Sequence, residues 1–467
     1  MKTKLIDINS LKSPKGHFLL GNLPEFKTNN KHKILEKWVE ECGELFTISL
    51  AGKKFVVSAN PDTNEQILKL RPSKFRRFAK IDEIFKEMKI EGVFNSEGED
   101  WQRHRKITSE ALNVKNVKSF FPVLKDKTDK LLHKFQNFEK QGTIIDLQKE
   151  FMGFTIDVTT TIAFGYETDV INNKKNEFQK HLEHIFPMIN KRITAPLPLW
   201  RYIKNKADKQ LLIALEEIEK LIHTFIDDAQ QRLKTNPELK ENPSNFLEAL
   251  LVEGEKTTFS NEEIFGNVFT MLLAGEDTTS NSISWAMYYL AQHPDIVNQI
   301  RSEANQILGS EPCPTNNKQL AELQLTKAAA LEAIRIKPTT PQLYMQAIED
   351  VVINDIAIPS GTNIILQTKV AQNSEAYFSN PDEFNPQRWL NQGCPVDHKH
   401  SPNVLKSFGG GSRFCPGMAL AINEMVIVLA TLCKNFDFKL AVNPEDVEEF
   451  FAFTMSPKNL KVKLQSI

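Results

Sequence analysis

Residues 408–417 read F-G-G-G-S-R-F-C-P-G. Three consecutive glycines permit a tight loop and a close approach to a flat ligand. Cys415 follows, then Pro416 at the predicted first position of an apolar helix. A thiol at a helix N-terminus is biased towards thiolate, because backbone N–H groups and the helix dipole stabilise the anion. A thiolate is the form that binds a metal. Arg413, two residues earlier, offers a planar fork to a carboxylate. Taken alone, C-P-G fits a buried cysteine in a glycine-rich turn better than it fits a metal ligand. The other cysteines, Cys42, Cys313, Cys394 and Cys433, are read as structural. Five widely spaced cysteines without a C-x-x-C pair fit a reducing compartment better than a disulfide framework.

A second string, A-G-E-D-T-T at 274–279, lies in the middle of a helical pattern. Gly275 costs about 1 kcal/mol relative to alanine there. Thr278 and Thr279 compete for backbone partners. The Thr278 hydroxyl is expected to reach the carbonyl of Ala274, loosening the helix and opening a groove with Asp277 beside it. A kinked packing helix with a solvated acidic turn is an equal reading of this string alone. Three shorter patterns accompany it. Glu332 and Arg335 in E-A-I-R face each other one turn apart, F-N-P-Q-R-W carries Arg388, and Trp101 and Arg105 in W-Q-R-H-R lie on one helix face.

Together and in this order the strings resemble the cytochrome P-450 family. F-x-x-G-x-R-x-C-x-G is its haem-ligand loop, A-G-x-D-T its oxygen-binding turn, and E-x-x-R with F-x-P-x-R its internal ion network. The resemblance covers nearly the whole chain and includes features similar to fatty-acid hydroxylases. It implies a mainly α (α+β) fold with haem b between a long central helix and the cysteine loop. By this resemblance Cys415 is the metal ligand, and Phe408 and Gly417 shape its loop. Trp101, Arg105 and Arg413 meet the haem propionates, while Ala274 and Gly275 let the helix lie close. Asp277 and Thr278 deliver protons, and Glu332, Arg335 and Arg388 are structural. Two positions depart from the pattern: Gln346 and Asn373 stand where many members carry arginine, which leaves propionate neutralisation to Arg105 and Arg413.

The implied reaction inserts one oxygen of dioxygen into a hydrophobic small molecule, with two electrons from a separate ferredoxin or flavodoxin and its reductase. Arg103, Lys106, Lys115, Lys118 and Lys406 are candidates for a basic docking face. Pocket candidates are Phe94, Phe186, Phe269, Thr340 and Phe453. Lys53 and Lys54, just after a predicted hairpin turn, favour a fatty acid by offering a carboxylate anchor. Competing readings are a peroxide-driven oxygenase or another haem-thiolate activity, a haem sensor, and a helical scaffold without haem.

The elements that must position these residues follow from periodicity. Helices are predicted at 31–42, 101–112, 116–136, 144–164, 174–190 and 206–234. A long one starts at a Ser260/Glu263 capping box, runs on to His293 and is stopped by Pro294, about 50 Å at 1.5 Å per residue. Alternation over 44–58 around Ala51–Gly52 predicts a hairpin. Short strands are expected at 344–353 and 356–359, then an apolar helix at 417–433 and a β-like end at N-L-K-V-K-L. One folded unit spans 1–467, with 1–60 and 340–370 supplying most of the β structure. The chain has 58 basic and 59 acidic residues, net −1, which argues against nucleic acid as the partner. Charges break up the N-terminal apolar residues, so neither a signal peptide nor a transmembrane segment is expected there. The expectation is a cytoplasmic protein.

Overall fold

The computed structural model describes residues 5–28, 30–172, 177–256, 259–390 and 400–467, so Cys394 lies outside the described residues. Helix α1 (Lys31–Cys42) leads into the predicted hairpin, β1 (Leu45–Leu50) and β2 (Lys53–Ser58). Its turn residues Ala51 and Gly52 have φ of 50° and 82°, the pair of positive values that a two-residue hairpin turn demands. Strand β3 (Phe75–Arg77) and helices α2 (Ala79–Glu87), α3 (Gly98–Ala111), α4 (Leu147–Phe164), α5 (Glu177–Thr194) and α6 (Lys206–Thr235) come next. The region expected as one helix over 116–136 divides into Val114–Ser119 and Phe121–Gln141, with Pro122 at the start of the second, where its missing N–H costs nothing.

The long helix α7 (Asn261–Leu290) has the predicted capping box, Ser260 and Glu263 each accepting from the other's backbone N–H. It is continuous: the Thr278 hydroxyl donates to the Ala274 carbonyl over 2.8 Å, as expected, without breaking the helix. Its two halves serve different cores. Val268, Phe269 and Leu272 pack with α4, α5 and α6, whereas Ile283, Trp285 and Met287 pack with the C-terminal helices. The stretch between them is free to line a cavity.

Helix α8 (Gln324–Ile336) precedes β4 (Gln342–Ala347) and β5 (Asn363–Gln367). The five-stranded sheet runs β1-β2-β5-β4-β3, with β2 and β5 parallel and the other neighbours antiparallel. Strand β5 was not predicted; its N-I-I-L-Q is half-buried to buried throughout and has no alternation to read. After the cysteine loop, α9 (Met418–Asn435) and the hairpin β6 (Glu448–Phe451) and β7 (Met455–Lys458) complete the parts that build the site. Strands therefore also gather beyond residue 435, outside the two regions expected to hold most of them. Helix α9 is long and apolar enough to cross a bilayer, with a mean hydropathy of 1.4, but 61% of it is buried in the protein, against residues of α7 and α8.

Candidate functional site

A cavity opens between the middle of α7 and the loop before α9. From the loop it is lined by Phe408, Arg413, Cys415 and Gly417, from α7 by Ala274, Gly275 and Thr278, and from α3 by Trp101 and Arg105. Four of the five expected pocket residues, Phe94, Phe186, Thr340 and Phe453, share this wall. The fifth does not: Phe269 is 1% exposed and packs edge-on against Phe265 at 5.9 Å. It faces the core because α7 presents Met271, Ala274, Gly275, Thr278 and Ser282 to the cavity, a stripe at helical spacing that leaves Phe269 on another side.

The cysteine loop is closed by the Cys415 N–H donating to the Phe408 carbonyl over 2.9 Å. Gly409 and Gly411 have φ of 76° and 62°, and a Cβ on Gly411 would stand 2.2 Å from the Leu68 carbonyl oxygen. No other residue type fits there. Helix α9 begins at Met418 with Gly417 as its N-cap, so Pro416 precedes the helix instead of opening it. The backbone N–H groups of Gly417 and Met418 do lower the Cys415 pKa, but burial raises it by more. The expected thiolate therefore needs a cation at sulfur as well as a helix end. Among the described residues no three His, Cys, Asp or Glu side chains converge. A metal held by Cys415 must thus bring its remaining ligands in a bound group.

Four guanidinium groups, Arg71, Arg77, Arg105 and Arg413, line the same cavity, and three of these arginines meet one carboxylate, Glu97. Arg413 pairs with Glu97 and donates to the Ser96 carbonyl over 2.8 Å. Arg71 reaches Glu97 over 3.4 Å, and the Arg77 backbone N–H donates to it over 2.9 Å. The Arg413 guanidinium lies 4.3 Å from the centre of the Trp101 ring, which fixes the plane of its fork. Nε and Nη1 of Arg413 and Nε of Arg71 are buried without a partner. Burial, the first cause in each case, depresses all four pKa values, and mutual repulsion adds to it at Arg77 and Arg413. Unsatisfied buried donors and surplus positive charge call for an anionic ligand. Two carboxylates on a flat group whose centre reaches Cys415 match both ends of this wall, and that is the donor set a haem with its two propionates requires. Sequence reasoning missed Arg71 and Arg77, although the basic run R-P-S-K-F-R-R-F at 71–78 was available as a signal.

The two departures resolve differently. Gln346 accepts from Arg76 over 2.9 Å on the exposed side of the sheet, away from the cavity. Asn373 and its neighbour Gln372 belong to the framework. The Gln372 carbonyl accepts from Arg335 over 2.8 Å, and its side-chain oxygen accepts from the Lys406 N–H at the start of the cysteine loop over 3.0 Å. Glu332 receives Arg335 in a fork, both contacts 2.9 Å, together with Arg388 at 2.8 Å and Trp389 at 2.9 Å. None of these three charged side chains lines the cavity.

Gly275 turns out to serve helix packing: a Cβ there would lie 2.4 Å from the Thr159 hydroxyl of α4. Ala274 is the small residue exposed towards the cavity. Asp277 is buried, and its pKa is pushed up to about 6 by burial, against the opposing hydrogen bonds from Thr454 and Asn281. It is thus poised to exchange a proton near neutrality. The side chain points away from Thr278: Oδ1 accepts from Asn281 over 3.1 Å and Oδ2 accepts from Thr454. Lys53 and Lys54 are exposed, Lys54 donating to Asn9 over 2.7 Å, and neither reaches the cavity. On the expected basic face Lys106, Lys115 and Lys118 are exposed, whereas Arg103 is taken up by Asp100 at 2.9 Å and by Glu263.

Residues 11–464 match the family described as Cytochrome P450. Among relatives, "Protein LUTEIN DEFICIENT 5, chloroplastic" of Arabidopsis thaliana is 24% identical over 85% of this chain and 68% of its own length. "Sugiol synthase" of Salvia miltiorrhiza is 25% identical over 91% and 88%. "Cytochrome P450 97B2, chloroplastic" of Glycine max is 24% identical over 91% and 81%. Two of these three are named as chloroplastic, which overturns the cytoplasmic expectation. That expectation rested on charges near the N-terminus, and those report on membrane insertion rather than on compartment.

Proposed function

This chain belongs to the cytochrome P450 family, and from that premise, which makes it a haem b-binding monooxygenase, we propose that Cys415 holds the haem iron and that the apolar wall above it takes a fatty acid. When bound, the haem supplies the activation of dioxygen; the chain's residues orient, enclose and move protons. The observation that carries the reading is the cavity itself, with one cysteine at its floor and four arginines at one side. Cys415 supplies the thiolate, which favours O–O cleavage. Arg71, Arg77, Arg105 and Arg413 neutralise the two propionates, with Trp101 holding the Arg413 plane. Asp277 and Thr278 would hold and move the protons that the reaction needs at the site. Substrate C–H, dioxygen, two electrons and two protons give the alcohol and water. The electrons come from a separate ferredoxin or flavodoxin, whose acidic surface suits exposed Lys106, Lys115 and Lys118.

The substrate is hydrophobic because Phe94, Phe186 and Phe453 close over the cavity, Phe453 lying 5.8 Å from Phe94 and 6.0 Å from Phe186. The carboxylate anchor shifts from Lys53 and Lys54 to Lys31. This lysine is 4% exposed and does not itself line the cavity, but it lies directly behind the wall, donating over 3.2 Å to Asn190, a cavity residue. Burial lowers its pKa to about 8, which leaves it cationic at pH 7 and lightly compensated. Dodecanoic acid is expected to perturb the haem absorption spectrum at lower concentration than a steroid of similar size. Lys31→Met should weaken dodecanoic acid by about tenfold, or 1.4 kcal/mol, and leave dodecanol unchanged. A spectral response to steroids but not to fatty acids would remove the substrate assignment while leaving the haem site standing.

A further inference from the structure

The acid of the A-G-E-D-T-T turn does not face the cavity, although its neighbour in sequence does. Asp277 is 7% exposed and is not part of the cavity wall, while Thr278 is. Successive residues on a helix point about 100° apart, so the two side chains diverge. A proton leaving Asp277 therefore needs a carrier to reach the cavity. Of the two side chains bonded to its carboxylate, Asn281 holds Oδ1 and does not line the cavity, whereas Thr454 holds Oδ2 and does.

Thr454 sits in the turn between β6 and β7, and that turn is tied down on every side. The Ala452 N–H donates to the Thr454 carbonyl over 3.0 Å, and the Met455 N–H donates to the Thr339 carbonyl over 2.8 Å. The Trp285 indole of α7 donates to the Met455 carbonyl over 3.2 Å. Phe453 takes a φ of 94°, a left-handed conformation that a bulky side chain adopts only when its surroundings impose it. Here the surroundings are the rings of Phe85, Phe94 and Phe186, at 5.9, 5.8 and 6.0 Å. The hydroxyl one residue later is thus held at a fixed point between the buried acid and the cavity.

We infer that Thr454 is the positioning residue for Asp277 and the link through which its proton enters the cavity. A hydroxyl both accepts and donates. The Asp277 carboxyl gives its proton to Thr454 Oγ as Thr454 releases its own to a water molecule in the cavity that Thr278 also lines. One proton moves, the threonine ends neutral, and Asp277 ends as a carboxylate accepting from Thr454, within the Thr454–Asp277 pair present in the structure.

The inference rests on the reading of Asp277 as the proton source, and the test separates the two. Product formed per electron pair is measured for the parent, Thr454→Val, Thr454→Ser and Asp277→Asn. The probe is dodecanoic acid, or the steroid if the binding experiment favours it. Folding is controlled by the reduced carbon monoxide spectrum and by half-saturation of the substrate-induced shift. Thr454→Val should lower coupling by at least about tenfold, part of the roughly 100- to 10,000-fold that a positioned proton donor contributes, at unchanged half-saturation, and Thr454→Ser should restore most of it. As a readout independent of turnover, the protonated-carboxyl infrared band that disappears in Asp277→Asn should move in Thr454→Val and stay in place in Thr454→Ser. If Asp277→Asn uncouples and Thr454→Val does not, the inference falls and the role of Asp277 stands. If Thr454→Ser is as poor as Thr454→Val, the hydroxyl is not the carrier and the inference also falls. Parent-like coupling in Asp277→Asn would overturn both.

Discussion

Cys415→Ala is expected to fold and to lose turnover by more than about 100-fold. Replacing residues that only orient a metal's ligands costs up to that factor, and here the protein's own ligand is removed. The loop itself should survive. Its shape is set by the Cys415 N–H bond to Phe408 and by Gly409 and Gly411 at positive φ, all of which an alanine retains. Nothing nearby replaces the sulfur, since among the described residues no other cysteine or histidine lines the cavity. The test is the absorption spectrum of the reduced variant together with turnover and thermal unfolding. A melting temperature near the parent's, loss of the thiolate signature and loss of turnover are the expected results. Parent-level turnover would contradict the assignment of Cys415.

The second large effect is one of stability. Glu332→Ala leaves Arg335 and Arg388 buried without their shared carboxylate. Both ends of the Glu332–Arg335 pair have 0% side-chain exposure. Removing one partner of such a pair costs about 3–5 kcal/mol, because a charge remains out of water unpaired. The loss should spread to the cofactor site. Arg335 donates to the Gln372 carbonyl, and Gln372 holds the Lys406 N–H and the Ser407 hydroxyl at the head of the cysteine loop. Denaturant unfolding should show the full destabilisation, with haem lost at lower denaturant than the fold. Breaking the exposed pair Lys318–Glu322, which spans 3.8 Å, should cost no more than a few tenths of a kcal/mol. Equal costs at the two sites would mean that the Glu332 cluster does not hold the loop.

How legible this was in the sequence depended on the kind of signal. Cys415, Thr278 and the Glu332 cluster each sit in a string whose spacing is itself the geometry: a glycine loop, an i to i−4 hydroxyl bond and an i to i+3 pair. The start of α7 followed from a capping box for the same reason, whereas the helix ends at Leu290, three residues short of the His293 expected from Pro294. Arg71 and Arg77 were harder, since a basic run reads the same whether it faces water or a cavity. Thr454 left no local trace, because its partner Asp277 lies 177 positions away and only the hairpin turn brings them together. Phe269 went wrong through phase: on a helix apolar all round, identity does not say which side faces a cavity. Lys53 and Lys54 went wrong because a hairpin turn is an exposed place, and Lys31 was overlooked because nothing in K-H-K marks one lysine as buried.

The central claim is that Cys415 binds haem iron as a thiolate. It is tested most directly by the absorption spectrum of the purified, reduced protein with and without carbon monoxide. A strongly red-shifted Soret band on adding carbon monoxide is the predicted result, since an anionic sulfur opposite the gas produces it. A band at the position of histidine or neutral-thiol ligation in undamaged protein, or no haem at all after reconstitution, would contradict it.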